Sequence, residues 1–286
     1  MSWSHCRNAI LDLQFKNNIA HRCDVTGLRY PHTTIITSPA DAEQQLPAIH
    51  FPVVAKPAKP LSEFKAQRLD TESALLQLTR KYVNSLPFLV QQWIPGDDSH
   101  LLFGALLLQE GEVAARFEGK KLLSHPPAMG QTTAAQPLVD DEVHQAAVQF
   151  FQGLSLSGPA SVEFKKDSNG HLWVIEPTVG RTDFWLGCCT ANAVDLPFLN
   201  YAIAAHLPLY TTSQRDVSLW CDTDRDPKII WYLLLYYPKL LLTHRLKTAY
   251  ASVRDPAPSA YALSSLAKRL GNRIFATGLR KAKLSG

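Results

Sequence analysis

The sequence lacks the marks of an exported, disulfide-stabilised or membrane-spanning protein. Its five cysteines are irregularly spaced and form no CxxC pair, so we expect neither a disulfide framework nor a zinc site. The N-terminus shows no signal-peptide pattern, and no apolar run reaches the ~18 residues of a membrane-spanning helix. Because 46% of the residues are hydrophobic, packed cores can form, and we expect a cytoplasmic globular protein.

Positive charge is concentrated in the C-terminal part of the chain. The formal net charge is +4, but the residues from Pro227 onward include eleven Lys and Arg and one acid, Asp255. The same part contains an apolar run at 229–235. Two interpretations stay open: this part packs on the protein body as a solvated helical face, or it contacts the inner membrane surface peripherally. No nucleic-acid partner is expected.

Helical and strand patterns alternate along the chain, which is typical of α+β and α/β enzymes. A polar stretch at 120–136 has the composition of a long loop. The clearest hairpin follows, with strands at 160–166 and 171–178 around Asn169-Gly170. The region after 226 is expected to be helical.

The Asn169-Gly170 pair predicts which residues face each other in this hairpin. Asn-Gly favours a two-residue type I′ turn, which would pair Ser168 with His171 and Glu163 with Glu176. Directly opposed carboxylates repel unless a proton or cation lies between them. Hard oxygen ligands suit Mg²⁺, so we expect a magnesium site here; a solvated face without metal is the alternative.

A lysine at the end of a buried strand provides the second signal. Lys56 follows four small or apolar residues. A cation in that position needs an anionic partner, and a phosphate would serve.

Four strings, taken in order, resemble the ATP-grasp superfamily. The first is a helical stretch that contains Lys16 and ends at Gly27. The other three are FPVVAKP at 51–57, VQQWIPG at 90–96, and VEF at 162–164 followed by IEPT at 175–178. The resemblance covers about residues 16–205. It implies an α+β fold in which two α+β subdomains, 1–93 and 94–206, close on ATP, followed by a basic, mainly helical extension at 207–286.

The resemblance also implies a role for each string. Lys16 and Lys56 would bind the phosphates, and one or two Mg²⁺ ions, or Mn²⁺, would be held by Glu163, Glu176 and Thr178. A threonine stands where the family usually has asparagine, and Asp183 could compensate for that change. The adenosine contacts would come from the hinge, with adenine bound by Gln91, Gln92, Trp93 and Ile94 and ribose by Asp97 or Asp98.

Further residues resemble the carboxylate-amine ligase branch of the superfamily. The stretch that begins with Lys120 and Lys121 is similar to the loop that covers the phosphates, where a lysine would neutralise developing charge. Arg181 could grip a carboxylate or phosphate, or form a structural salt bridge. The string EPTVGRTD at 176–183 is similar to ATP-grasp proteins of bacterial exopolysaccharide or cell-envelope biosynthesis.

The resemblance implies an ATP-dependent ligase that activates a carboxylate as an acyl phosphate and joins it to an amine. The usual N-terminal Rossmann-like domain is not recognisable before Lys16, so either a partner protein supplies it or the substrate site is unusually open. Two alternatives stay open: a small-molecule phosphotransferase, and a non-catalytic nucleotide-binding assembly or regulatory protein.

Overall fold

The structure is a computed structural model that describes residues 7–15, 17–58, 62–181, 183, 185–210, 212–252, 254–265 and 267–268. Its strands form two sheets. The small sheet is antiparallel, has the order β1-β4-β2-β3, and consists of β1 (Thr33–Ile36), β2 (Val53–Pro57), β3 (Gln67–Leu69) and β4 (Phe88–Gln92).

The large sheet has seven strands in the order β11-β10-β7-β6-β5-β8-β9. Only the β10–β11 pair at its edge is parallel; the other pairs are antiparallel. Its strands are β5 (Leu101–Gln109), β6 (Glu112–His125), β7 (Gln131–Pro137), β8 (Gly158–Lys166), β9 (Leu172–Val179), β10 (Ser218–Cys221) and β11 (Arg245–Thr248).

The helices cover the two sheets, and several begin at capping residues. Thr71 accepts a hydrogen bond from the Ala74 amide at the start of α4, and Asp140 accepts two at the start of α5. The helices are α1 (Arg7–Gln14), α2 (Asn17–Thr26), α3 (Pro39–Gln45), α4 (Glu72–Lys81), α5 (Asp141–Phe151), α6 (Leu186–Ala191), α7 (Leu196–Ala204), α8 (Ile229–Tyr236) and α9 (Pro238–Thr243).

Strand β5 is an inner strand of the large sheet and is buried on both faces. Alternate residues of β5 point to opposite faces, so its nearly continuous apolar sequence serves two cores. Leu102 and Leu106 pack with α5 on one face, and Phe103 and Leu107 pack with α6 and α7 on the other. The small sheet has its own core, closed by α3 and α4.

The structure differs from the sequence-based expectations in three places. The stretch at 120–136 is mostly two paired strands, with only a short connection between β6 and β7. Residues 207–286 do contain helices, but they also supply β10 and β11 to the large sheet. Helices α1 and α2, assigned to the first subdomain, pack on the core beneath the large sheet.

Within the described part of the chain, no helix is long and apolar enough to cross a membrane.

Candidate active site

A cavity of about 650 Å³ is lined by residues of both sheets. The small sheet contributes residues of β2 and β4, and the large sheet contributes residues of β6, β7, β8 and β9. Five cationic side chains reach it: Lys56, Lys65, Lys121, Lys165 and Arg181. Three carboxylates line it as well, Glu163, Glu176 and Asp183. The excess of cations favours a polyanionic ligand.

The two glutamates occupy directly opposed positions, as predicted. Glu163 of β8 pairs with Glu176 of β9. The predicted turn, however, is wrong. Pairs next to the turn join Lys166 with Leu172, one residue away from the predicted register, and a bulge at Ile175 restores it before Glu176.

The carboxylate of Asp167 determines the turn. It accepts hydrogen bonds from the amides of Asn169 and His171 and from the indole of Trp173. Gly170 has a φ of 84°, whereas Asn169 keeps a negative φ, so the connection is longer than a type I′ turn. A two-residue turn with positive φ at both positions occurs instead at Glu110-Gly111.

The environment of Glu163 disfavours its charge. Its cross-strand neighbour on the other side is Phe103, whose buried ring stacks on Trp185 at 4.1 Å. Burial raises the pKa of Glu163 to about 7, against the attraction of Lys121, and the negative charges of Asp183 and Glu176 also raise it. A bound cation would favour the ionised form.

The chemistry of this donor set fits a magnesium ion shared with a ligand. Among the described residues, no group of three or more His, Cys, Asp or Glu is arranged as a metal site. Two carboxylates are enough for Mg²⁺ when nucleotide phosphates and water complete its coordination. Thr178 lines the cavity, and its hydroxyl donates to Asp183 at 3.2 Å. That bond orients the Asp183 carboxylate.

The predicted phosphate-binding lysines have different positions. Lys56 of β2 lines the cavity, and Lys121 of β6 lines it from the large sheet and donates to the Gly130 carbonyl at 3.2 Å. Lys120 is not among the lining residues, because neighbouring strand residues point to opposite faces. Lys16 lies outside the described residues. Arg181 is exposed at the cavity.

The segment between the sheets brings Gln91, Gln92, Trp93 and Ile94 to the cavity. The Gln91 side chain is buried and donates to Tyr30 and Thr33, and its backbone lies opposite Val54 in the pairing of β4 with β2. The Trp93 backbone amide donates a hydrogen bond to the Pro52 carbonyl.

The Trp93 ring already has cationic neighbours. The Arg68 guanidinium lies 4.9 Å from its centroid, and the Lys165 ammonium lies 4.2 Å from it. Lys165 also donates to the Gly96 carbonyl at 2.7 Å. Burial lowers the pKa of Lys165 to about 8, against the attraction of Asp98 and Asp97.

Neither aspartate predicted to touch ribose is among the residues that line the cavity. Asp97 accepts hydrogen bonds from the amide and hydroxyl of Ser99 and lies 3.0 Å from the His100 ring. Asp98 is buried and accepts from the Ser124 hydroxyl at 2.6 Å and from the Ala128 amide. Both carboxylates therefore stabilise local structure, and Asp98 holds the β6–β7 connection.

Sequence reasoning missed two cations of the cavity, Lys65 and Lys165. Lys165 had a usable signal, because it lies two residues after Glu163 and a strand repeats every two residues. Lys65 follows β2 in the connection to β3, and nothing in its local sequence distinguishes it from a solvated lysine.

Two ligases are among the curated proteins that this chain resembles. No protein-family model matches the chain. The chain is 27% identical over 195 residues to a D-aspartate ligase of Enterococcus faecium, covering 61% of this chain and 45% of the relative. It is 24% identical over 205 residues to a D-alanine–D-alanine ligase of Ectopseudomonas mendocina, covering 62% and 59%. The chain thus spans about half the length of the curated relatives it matches.

Solved structures resemble it at lower sequence identity. The biotin carboxylase domain of Hydrogenobacter thermophilus 2-oxoglutarate carboxylase, in complex with MgADP, matches with a TM-score of 0.61 and 16% identity, covering 74% of this chain and 50% of that one. An L-amino acid ligase from Bacillus licheniformis matches with a TM-score of 0.52 and 20% identity, covering 67% and 47%. The chain therefore has the ATP-grasp fold, and its resemblance to the carboxylate-amine ligases is confirmed.

Proposed function

We propose that this protein is an ATP-dependent ligase that joins a substrate carboxylate to an amine through an acyl phosphate. One observation carries the proposal: opposed carboxylates and five cations surround a single cavity lined by both sheets of an ATP-grasp fold. The ligase relatives support the same activity.

In this proposal ATP lies between the two sheets. Adenine binds against the segment from Gln91 to Ile94, which lines the cavity, with Gln92 and Trp93 beside the base. Lys56 and Lys121 bind the phosphates from opposite sheets. The location of Lys16 in this arrangement stays a prediction.

Glu163 and Glu176 are the proposed magnesium ligands, with Thr178 and Asp183 beside them. Their hard oxygens fit Mg²⁺, and Mn²⁺ prefers similar ligands. When bound, the ion supplies positive charge that neutralises the phosphates. Thr178 acts best through Asp183, because its hydroxyl proton is donated to that carboxylate.

The chemical steps require positioning and charge neutralisation. A substrate carboxylate oxygen attacks the γ-phosphorus, and the bond to the β–γ bridging oxygen breaks to release ADP. The amine then attacks the acyl carbon, loses a proton, and displaces phosphate. Lys121 neutralises charge on the transferred phosphoryl group, and Arg181 orients the substrate carboxylate.

The names of the relatives suggest the first substrates to test. D-aspartate ligase, D-alanine–D-alanine ligase and L-amino acid ligase all refer to amino acids. We therefore propose an amino acid on at least one side of the new bond. A partner protein at the acceptor site stays a prediction.

Release of ADP and phosphate from pairs of carboxylates and amines, with Mg²⁺ present, tests the function. We expect release that needs both substrates and is lost in Glu176→Gln, whereas the exposed Glu112→Gln control keeps it. Full activity of Glu176→Gln would refute the metal assignment. ADP formation with phosphate transferred to a hydroxyl would favour a phosphotransferase, and nucleotide binding without turnover would favour a non-catalytic role.

A further inference from the structure

Helix α8 is apolar all round but is buried on only one side. Its sequence is IIWYLLLY, and Ile229 and Leu233 are fully buried. Trp231, Leu234 and Leu235 are 68%, 52% and 60% exposed. These three side chains have the i, i+3, i+4 spacing of a single helical face.

The buried side of α8 is held firmly by the large sheet. Ile229 and Leu233 pack in a cluster with Leu122 of β6, Ala134 of β7 and Leu219 of β10. The Tyr237 hydroxyl, one residue after the helix, donates to the Leu122 carbonyl at 3.2 Å. The exposed face is therefore presented by the folded sheet.

Two more apolar side chains are exposed at the end of α8 and in the helix that follows it. Tyr236 is 62% exposed, and Leu242 in the following helix, α9, is 87% exposed. Exposed apolar groups that adjoin one another, unlike scattered ones, mark an interaction surface. We call these residues of α8 and α9 the α8 face: Trp231, Leu234, Leu235, Tyr236 and Leu242.

Exposed basic side chains lie next to the α8 face in the sequence. Lys228 and Lys239 flank α8 and are exposed, and Arg245 and Lys247 of β11 are exposed too. From Pro227 onward the sequence has only one acid against eleven Lys and Arg. A partner that complements this surface therefore has both apolar groups and negative charge.

We propose that the α8 face docks on an anionic lipid bilayer. Trp and Tyr favour the boundary between headgroups and acyl chains, and lysines flanking an apolar helical face bind anionic headgroups. Eight residues of helix extend only about 12 Å, which is too short to cross a bilayer, so in this proposal α8 lies along the membrane surface.

A second copy of the chain fits this surface less well. A twofold interface pairs a patch with itself, so it would bring the basic side chains of two copies together. A lipid surface instead neutralises them.

Flotation of the full-length protein with vesicles tests the proposal. We expect it to bind phosphatidylcholine vesicles that contain phosphatidylglycerol and to bind pure phosphatidylcholine vesicles weakly. Added salt should weaken the binding, because screening reduces attraction to the headgroups. Absence of binding to the anionic vesicles at low salt would overturn the proposal.

Matched variants identify the surface. Trp231→Ser with Leu235→Ser should weaken vesicle binding at least tenfold, whereas Tyr201→Ser on α7, which is 62% exposed, should not. Lys239→Glu should weaken it about fivefold or more, whereas Lys81→Glu, with the same change in net charge, should not. Circular dichroism should show the same fold for all four proteins.

Two outcomes would reassign the face. Vesicle binding that the Trp231 and Leu235 changes leave intact would place the lipid contact elsewhere and overturn the proposal. Concentration-dependent dimerisation in sedimentation, abolished by the same two changes, together with no vesicle binding, would assign the α8 face to a second copy.

Discussion

Replacing Glu163 by Gln is expected to stabilise the metal-free protein while it abolishes function. Burial raises the pKa of Glu163 to about 7 from an ordinary value of 4.5. Its neighbours explain the shift, since it lies beside the buried ring of Phe103 and near the carboxylates of Asp183 and Glu176. The fold thus holds an acid where its charge is disfavoured.

The sign of the effect follows from the two states. The unfolded chain ionises this carboxyl as the pH passes about 4.5, whereas the folded protein keeps it protonated until about pH 7. The stabilisation that Glu163 contributes is therefore fully present below pH 4.5 and is lost between pH 4.5 and pH 7. At ~1.4 kcal/mol per pKa unit the loss is roughly 3 kcal/mol at pH 8 and about 1 kcal/mol at pH 5.

Thermal denaturation in EDTA measures this difference. We expect Glu163→Gln to melt about 5 to 10 °C above the unchanged protein at pH 8, with a much smaller gain at pH 5. Isothermal titration calorimetry should show that the variant loses binding of Mg-nucleotide. Glu112→Gln, an exposed change on β6, should alter neither. A variant that melts lower than the unchanged protein at pH 8, or that gains equally at both pH values, would refute the reasoning.

Three further predictions concern the sheet and its edge. Lys121→Ala should lower kcat/KM about 100-fold or more, whereas Lys120→Ala, on the opposite face, should change it less than about threefold. Gly119→Ala should lower the free energy of unfolding by about 2 kcal/mol in urea titrations, because a Cβ there would lie 2.2 Å from the Phe103 ring. Asn192→Ala should cost about 3 kcal/mol in the same assay, because its buried amide makes hydrogen bonds that join α6 to the start of β10.

The pairing of Glu163 opposite Glu176 was predictable, but the turn and the bulge that produce this pairing were not. The predicted two-residue turn would have given this register directly. The Asp167 carboxylate lengthens the turn by one residue, and the bulge at Ile175 removes the slip. Turn preference describes local backbone only, whereas a bulge depends on what the strand must present to the rest of the fold.

Side chains that bind distant partners were the least predictable. The family resemblance implied that Asp97 or Asp98 binds ribose, and this role stays a prediction for Asp98. Its partner is Ser124, 26 residues away, and no local pattern shows that contact. The position of Lys56 at the cavity was predictable, because a cation at the end of a buried strand needs an anionic partner and this pattern is visible in the sequence.

The edge strands β10 and β11 were also missed. The sequence after 207 is rich in apolar and basic residues, which indicates helix as readily as strand. A strand of four residues is too short for its alternation of apolar and polar residues to be distinguished from a helical pattern. The place of β10 depends on pairing with β7, more than 80 residues earlier, and β11 in turn pairs with β10.

The α8 face and the cavity are linked through one strand. Lys121 of β6 reaches the cavity, and the next residue, Leu122, forms a bulge and packs beneath α8. Removing the buried Leu233 side chain should therefore disturb the backbone that positions Lys121. We expect Leu233→Ala to cost about 2 to 4 kcal/mol of stability and to lower kcat at temperatures where the protein stays folded.

Trp231→Ser provides the contrast for this last prediction, because its side chain faces away from the sheet. It should leave kcat in solution unchanged while it weakens vesicle binding. If Leu233→Ala keeps full kcat when circular dichroism shows it folded, the bulge at Leu122 does not position Lys121. The two variants thus separate what α8 does for the site from what it does at a surface, although they lie on one helix.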